Sequence, residues 1–261
     1  MAYTFISGAT GGIGKAFAKS LAARGESLFL TGRSQEKLAQ LKEELSKKYG
    51  VNIDFCPCQL TDEKDRENLV RYIDGKGITF NRIINVAGVD IQKAFNDYTL
   101  DKVHFQLRVN VEATISLTHQ LIKRKSGETE IITISSMSGV SPMPYFALYS
   151  ATKAMLINFF TALHYELNKE KVKITVVMPG GVPTRPDIVE DIKGQGLWGK
   201  LSAKSPEFVA EKSLKAVRKN KIKYIPGVFN KFLYYVIKLS PKKIVLRFIA
   251  RRWKKQTKDA F

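Results

Sequence analysis

The sequence predicts an α/β protein built on a doubly wound parallel sheet. Three observations carry that prediction. Apolar runs of strand length alternate along the chain with longer segments of helical period, the pattern of strands buried between two layers of helices. A glycine-rich turn, Gly8-Ala9-Thr10-Gly11-Gly12-Ile13-Gly14, separates the first strand from the first helix. The 261 residues, 44% hydrophobic and 26% charged, suit a large globular domain with a sizeable core and exclude general disorder.

The elements follow in order. A first apolar strand, 2–7, enters the glycine turn, and a helix is expected over 12–25. Strand 27–31 ends at Gly32-Arg33-Ser34, and helix 35–49 follows. Strand 51–56, helix 62–74, strand 82–86 and a long helix over 99–125 repeat the alternation, as do strand 129–135, helix 147–170, strand 172–178 and a short strand 222–225. The doubly wound domain is placed at residues 1–220. Within it, 183–205 carries Pro183, Pro186, Gly194, Gly196 and Gly199 and gives Leu197 and Trp198 no periodic face. That stretch reads as a loop, either a substrate-binding lid or a connector.

Composition narrows the chemistry. Cys56 and Cys58 stand too close together for a disulfide framework, and no second cysteine pair or histidine cluster completes a zinc site. Reduced thiols and no metal are expected, and His104, His119 and His164 read as ordinary packing or surface residues. The apolar run that starts at Ala2 meets Gly8 too soon for a signal peptide, so a cytoplasmic protein is expected. The longest uncharged stretch, Ile131 to Thr152, is broken by serines, prolines and a glycine and does not read as a membrane span.

A strand, a glycine turn and a helix N-terminus together make an anion site, because unpaired N–H groups and the helix dipole both favour a phosphate there. The spacing is G-x-x-x-G-x-G, different from the usual G-x-G-x-x-G dinucleotide fingerprint. An NAD-preferring fold places an acid after the second strand, against the ribose diol. Here Arg33 and Ser34 stand instead, a guanidinium fork and a hydroxyl suited to a 2′-phosphate. NADP(H) is therefore favoured over NAD, although Arg33 read alone is equally a solvated charge.

Tyr149 and Lys153 are four apart on an expected helix and share a face. The chain holds five such Tyr-x-x-x-Lys pairs, so the spacing alone means little. Tyr149 differs from the others in having Ser136 thirteen residues upstream at a strand's carboxyl end, where open α/β sheets bind ligands. Tyr145, Ser135 and Ser138 are rejected on spacing.

On these residues the sequence resembles the short-chain dehydrogenase/reductase family over residues 2 to about 225, which implies a Rossmann-type fold. Asn85-Val86-Ala87-Gly88, Asn110, and Pro179-Gly180 with Val182 and Thr184 match further family motifs. Val86 replaces a frequent second asparagine, and Gln59, before Leu60, replaces a frequent Asp at the adenine. The resemblance implies a cofactor site made of Gly8, Thr10, Gly12, Ile13, Gly14, Arg33, Ser34, Leu60, Asn85, Ala87, Gly88, Pro179, Gly180, Val182 and Thr184, joined by Tyr149 and Lys153. It implies Tyr149 as proton donor, Ser136 orienting the carbonyl, Lys153 on the nicotinamide ribose and Asn110 holding a relay water; alone, Asn110 reads as a helix-interior amide bonded to local backbone. A lysine charge about 4 Å from the phenol, at an effective dielectric near 20, would favour the phenolate by roughly 4 kcal/mol. The similarity extends loosely to bacterial 3-oxoacyl and hydroxysteroid reductases, implying a hydrophobic ketone and a homo-dimer or homo-tetramer through helices 99–125 and 147–170.

The net charge is +19, and residues 221–261 hold twelve Lys and Arg against the single acid Asp259. In this extension Phe229, Phe232, Leu233, Val236 and Ile237 recur at helical spacing. Ser240 and Pro241 can start a second helix, with Ile244, Val245, Phe248, Ile249 and Trp253 on one face and Lys243, Arg247, Arg251, Lys254 and Lys255 toward the other. Residues 229–255 fit an anionic membrane surface, which would make the protein peripheral at the inner face of the membrane. They equally fit an apolar face docked on the domain or on a second subunit, while a nucleic-acid role finds no other support. The expected function is NADP(H)-dependent interconversion of a hydrophobic ketone and a secondary alcohol. The alternative is a non-catalytic NADP-binding scaffold recruited to membranes.

Overall fold

The computed structural model describes residues 2–254, so Lys255 and Asp259 lie outside the described residues. Seven strands, β1 (Ala2–Ser7), β2 (Leu28–Gly32), β3 (Ile53–Pro57), β4 (Thr79–Asn85), β5 (Lys125–Ile134), β6 (Val172–Val177) and β7 (Lys223–Tyr224), form one sheet in the order β3-β2-β1-β4-β5-β6-β7. Every pairing is parallel. The order reverses between β1 and β4, and in such sheets the crevice beyond the strand ends at that point takes the ligand.

Alternate side chains of each strand feed opposite layers. Ile6, Leu28 and Leu30 join Phe17, Leu21, Leu38 and Leu214 of helices α1 (Gly12–Ala22), α2 (Gln35–Tyr49) and α9 (Pro206–Arg218). Phe5, Phe29 and Ile131 join Leu69, Leu117, Leu156 and Phe160 of α3 (Glu63–Gly75), α5 (Ala113–Ile122) and α6 (Ala147–Leu167) on the other face. Asp62 caps α3 by accepting from the amides of Lys64 and Asp65. Ser34 caps α2 through the Lys37 amide, which engages one acceptor lone pair of the hydroxyl expected at a phosphate.

Several expectations need correction. The long helix over 99–125 is not continuous: α4 (Leu100–Leu107) and α5 are joined by a π-helical turn, Arg108–Glu112, and the chain is already in β5 at Lys125. Such turns arise where one residue more than the regular period must be accommodated, and Asn110 lies inside this one. The segment 183–205 is not a plain loop, because it folds into α7 (Pro186–Gly194) and α8 (Gly196–Ser202). Helix α9 was not foreseen, although Ser205 capping the Phe208 amide with Pro206 at the first helical position is its sequence signal. Strand β7, which pairs with β6, falls past residue 220, so the sheet continues into the C-terminal segment.

The C-terminal segment forms α10 (Val228–Leu239) and α11 (Lys242–Trp253). Ser240 closes α10 through its own amide rather than capping α11, while Pro241 offers its carbonyl to the amides of Ile244 and Val245. The expected apolar face of α11 is divided: Ile244 and Phe248 are exposed, whereas Val245, Ile249 and Trp253 are half-buried.

Candidate active site

Three chain crossings meet at the carboxyl ends of β1, β4 and β6. Gly8 has a φ of 64°, and a Cβ there would fall 2.9 Å from Cα of Ala87. A Cβ on Gly12 would fall 2.6 Å from Cγ2 of Thr184. The space of a side chain is taken by the Ala87 backbone at Gly8 and by the Thr184 side chain at Gly12. The Ser7 hydroxyl accepts from the amides of Val86 and Ala87 at 3.1 and 3.3 Å, drawing the loop after β4 onto the glycine turn.

The first turn of α1 has no side-chain cap and no acidic residue, so its amides face the crevice unneutralised. Thr10 stands over Gly32 at the end of β2, its hydroxyl 3.5 Å from where a Cβ on Gly32 would sit. Arg33 is exposed beside it, and Ile13 packs against the core beneath the turn. The glycine turn and the uncapped helix terminus fit the anionic diphosphate of a dinucleotide, with the exposed Arg33 guanidinium alongside. Leu60 is buried and its carbonyl accepts from Arg66 at 2.6 Å, while Gln59 is exposed.

Asn85 donates to the hydroxyls of Thr118 and Thr133 at 2.9 and 3.2 Å, which fixes the end of β4 on α5 and β5. Asn110 is fully buried and forms a two-point bridge with Val89: it accepts from the Val89 amide at 2.7 Å and donates to the Val89 carbonyl at 2.9 Å. It also donates to the Thr152 hydroxyl at 3.1 Å. Its partners are thus a neighbouring loop and helix, not the local backbone that a lone helical amide would use. A Cβ on Gly88 would lie 3.2 Å from Nζ of Lys153 and 3.4 Å from Oδ1 of Asn110, so these side chains flank the same glycine.

Ser136 leaves β5 in extended conformation, its hydroxyl accepting from the Ser138 amide at 3.1 Å, and it lies near enough to Tyr149 to influence its titration. Ser135 instead donates to the Lys153 carbonyl at 2.8 Å. The Met137 amide donates to the carbonyl of Pro179 at 2.9 Å, joining the turns after β5 and β6. Val182 is buried in the core there, leaving Thr184 to meet Gly12.

Tyr149 is half-buried. Burial, with the Asp90 carboxylate nearby, pushes its hydroxyl above the usual tyrosine value, against the smaller opposing influences of Ser136 and Arg185. Lys153 is 4% exposed, and burial lowers its ammonium to about 8. Its Nζ donates to the Ile134 carbonyl at 3.1 Å and lies 5.6 Å from the Tyr149 ring centre. The expectation that a lysine charge holds the phenol down is therefore corrected. Desolvation of the buried phenolate is the largest influence and prevails.

Sequence reasoning missed two features. Asp90 accepts from Arg185 at 3.0 Å, and Arg185 also pairs with Asp187, linking the loop after β4 to the start of α7. Phe146 stacks on Tyr149 with ring centres 4.4 Å apart, a pairing that the i, i+3 aromatics at the start of α6 could have signalled. Tyr145 has no such contact in the site, but its φ of 64° turns the chain just before Phe146.

Comparisons with known proteins agree with this geometry. The family model described as short chain dehydrogenase matches residues 2–192. The very-long-chain 3-oxoacyl-CoA reductase of Anas platyrhynchos is 32% identical over 195 residues, covering 70% of this chain and 61% of that protein, so the match spans under two thirds of the relative. Among solved structures, a 7β-hydroxysteroid dehydrogenase superposes with a TM-score of 0.85 at 24% identity, over 95% of this chain and 96% of that one. A short-chain dehydrogenase from Sphingobium yanoikuyae in complex with NADPH superposes with a TM-score of 0.76 at 22% identity, over 94% and 95% of the two chains. With the family's motif residues gathered at one end of its sheet, this chain belongs to the short chain dehydrogenase family of oxidoreductases.

Proposed function

We propose that the protein interconverts a hydrophobic ketone and a secondary alcohol with NADP(H), using Tyr149 as proton donor. The observation that carries the reading is the meeting of Tyr149, Ser136 and Lys153 beside the glycine cradle, each placed by a different contact. NADP(H), when bound, supplies or accepts the hydride. The chain's own residues supply the rest: Ser136 and Tyr149 offer two hydroxyls to a carbonyl oxygen on which negative charge develops, and Tyr149 passes its proton to it. A hydroxyl kept neutral by burial holds that proton ready. Lys153, held over Gly88, restores it, and the Asn110 bridge keeps the loop carrying Gly88 in place. The names of the relatives, a 3-oxoacyl-CoA reductase and a hydroxysteroid dehydrogenase, favour a hydrophobic substrate.

The test is a titration of NADPH and NADH side by side, repeated on Arg33→Ala. The variant is expected to lose about 10- to 10²-fold in NADPH affinity, the worth of charge-assisted hydrogen bonds to one phosphate, with NADH affinity unchanged. Equal or absent binding of both nucleotides by the parent chain would sink the cofactor reading.

We also assign the outer edge of α10 and α11 to an anionic membrane surface, with the protein cytoplasmic and peripheral. Among the described residues no helix is long and apolar enough to cross a membrane. Leu239 is 84% exposed and Phe248 60%, with Phe232 and Tyr235 also outward and Lys231, Lys238, Lys243 and Arg247 among them. The full chain is expected to sediment with vesicles containing anionic lipid, less so in high salt, and the triple change Phe232→Ser, Leu239→Ser, Phe248→Ser to abolish this. Equal sedimentation of both proteins would refute the assignment. A homo-dimer or homo-tetramer through α4, α5 and α6 is supported by the exposed Leu107 and Met155.

A further inference from the structure

Three aromatic rings form one stack from the last helix to the candidate proton donor. Phe146 lies 4.4 Å from Tyr149 with the ring planes 22° apart, and 5.5 Å from Trp253 with the planes 19° apart. Phe146 is 6% exposed, so Tyr149 and Trp253 complete its enclosure. Tyr145, which precedes it, is in the left-handed region with a φ of 64°, and such strained backbone persists only where the surroundings over-determine it.

A second contact is independent of the first. Asn230 of α10 is 1% exposed and occupies the space that a side chain at Gly180 would need, its Oδ1 2.8 Å from a Cβ there. Its amide donates to the carbonyls of Ser202 and Pro226 at 2.9 and 2.7 Å, tying α10 to the end of α8. The C-terminal segment thus touches the site twice, at the turn after β6 and at the start of α6.

We propose that α10 and α11 form a wall of the active site, with Trp253 and Asn230 as positioning residues that act through Phe146 on Tyr149 and through Gly180 on the turn after β6. The inference rests on the reading of Tyr149 as proton donor. A phenol clamped on its ring face swings less about its side-chain torsions, and proton transfer is sensitive to misplacement of that size. The same apolar ring beside the hydroxyl suits a ketone whose carbonyl is flanked by apolar substituents.

The experiment compares Trp253→Ala and Trp253→Phe in the full chain, assayed with NADPH and a hydrophobic ketone. Trp253→Ala is expected to lose about 10- to 10²-fold in kcat with NADPH affinity unchanged, and Trp253→Phe to recover most of it. Parent-like kinetics in Trp253→Ala would overturn the proposal. The chain has two tryptophans, so in Trp198→Phe protein Trp253 is the only indole emitter. Adding Phe146→Ala should shift its emission to the red and increase quenching by iodide. An indole already open to iodide and insensitive to Phe146 would overturn the docking, whether or not any ketone is reduced. A shielded, Phe146-sensitive indole in a protein that binds NADPH but reduces no ketone would overturn the enzymatic reading instead.

Discussion

Tyr149→Phe lowers the turnover of NADPH-dependent ketone reduction about 10²- to 10⁴-fold, the range for loss of a positioned general acid, or about 3–5 kcal/mol of barrier. The change removes one oxygen and keeps the ring, so the stack with Phe146 and the packing of α6 survive. NADPH affinity and thermal stability should stay at parent values, because the glycine cradle is built from Gly8, Gly12, Ala87 and Thr184. Steady-state kinetics with nucleotide titration checks this. Unchanged turnover would remove Tyr149 from the chemistry, and lost nucleotide binding would make the residue structural.

Lys153→Met separates activity from stability. Burial holds the folded-state lysine at about 8 against its ordinary 10.5, a gap that corresponds to about 3 kcal/mol. Below about pH 8 the amine is protonated in both the folded and unfolded chain, and the penalty for a buried ammonium is felt in full. Between about 8 and 10.5 the unfolded chain holds the proton and the folded chain does not, so stability rises with pH and the penalty fades. Methionine removes the penalty and loses one hydrogen bond, to the Ile134 carbonyl, worth about 1 kcal/mol. The variant should therefore be about 2 kcal/mol more stable at pH 7, with the gain shrinking as pH rises past 8, while turnover falls about 10²-fold. Urea unfolding of both proteins at several pH values is the measurement. A variant less stable at pH 7, or a difference that does not change with pH, would contradict the account.

The parts of the site that could be read in the sequence are those where local geometry admits few residue types. Gly8 and Gly12 are legible because another loop occupies the space of their side chains, and Tyr149 with Ser136 because helix and strand periods convert spacing into a shared location. The sheet was legible for the same reason, as alternation sends Phe5 and Ile6 to opposite layers. What escaped depends on long-range packing. The π turn at Asn110 keeps the apolar period on either side, so nothing in 99–125 marks it. Helices α7 and α8 are short, and Trp198 of α8 finds its ring partner, Phe229, in α10. The direction of the Tyr149 shift was misread because spacing reports proximity of charges and not how deeply both are buried.

The contact between Phe146 and Trp253 also orders events in time. The sheet can pair from β1 to β6 before the segment carrying Trp253 emerges, and domains fold as their segments emerge. Phe146 and Trp253 lie far apart in sequence, and closing so long a loop is slow because its entropy is lost before the contact forms. The glycine turn with Ala87 and Thr184 can therefore assemble before the ring stack that reaches Tyr149 through Phe146.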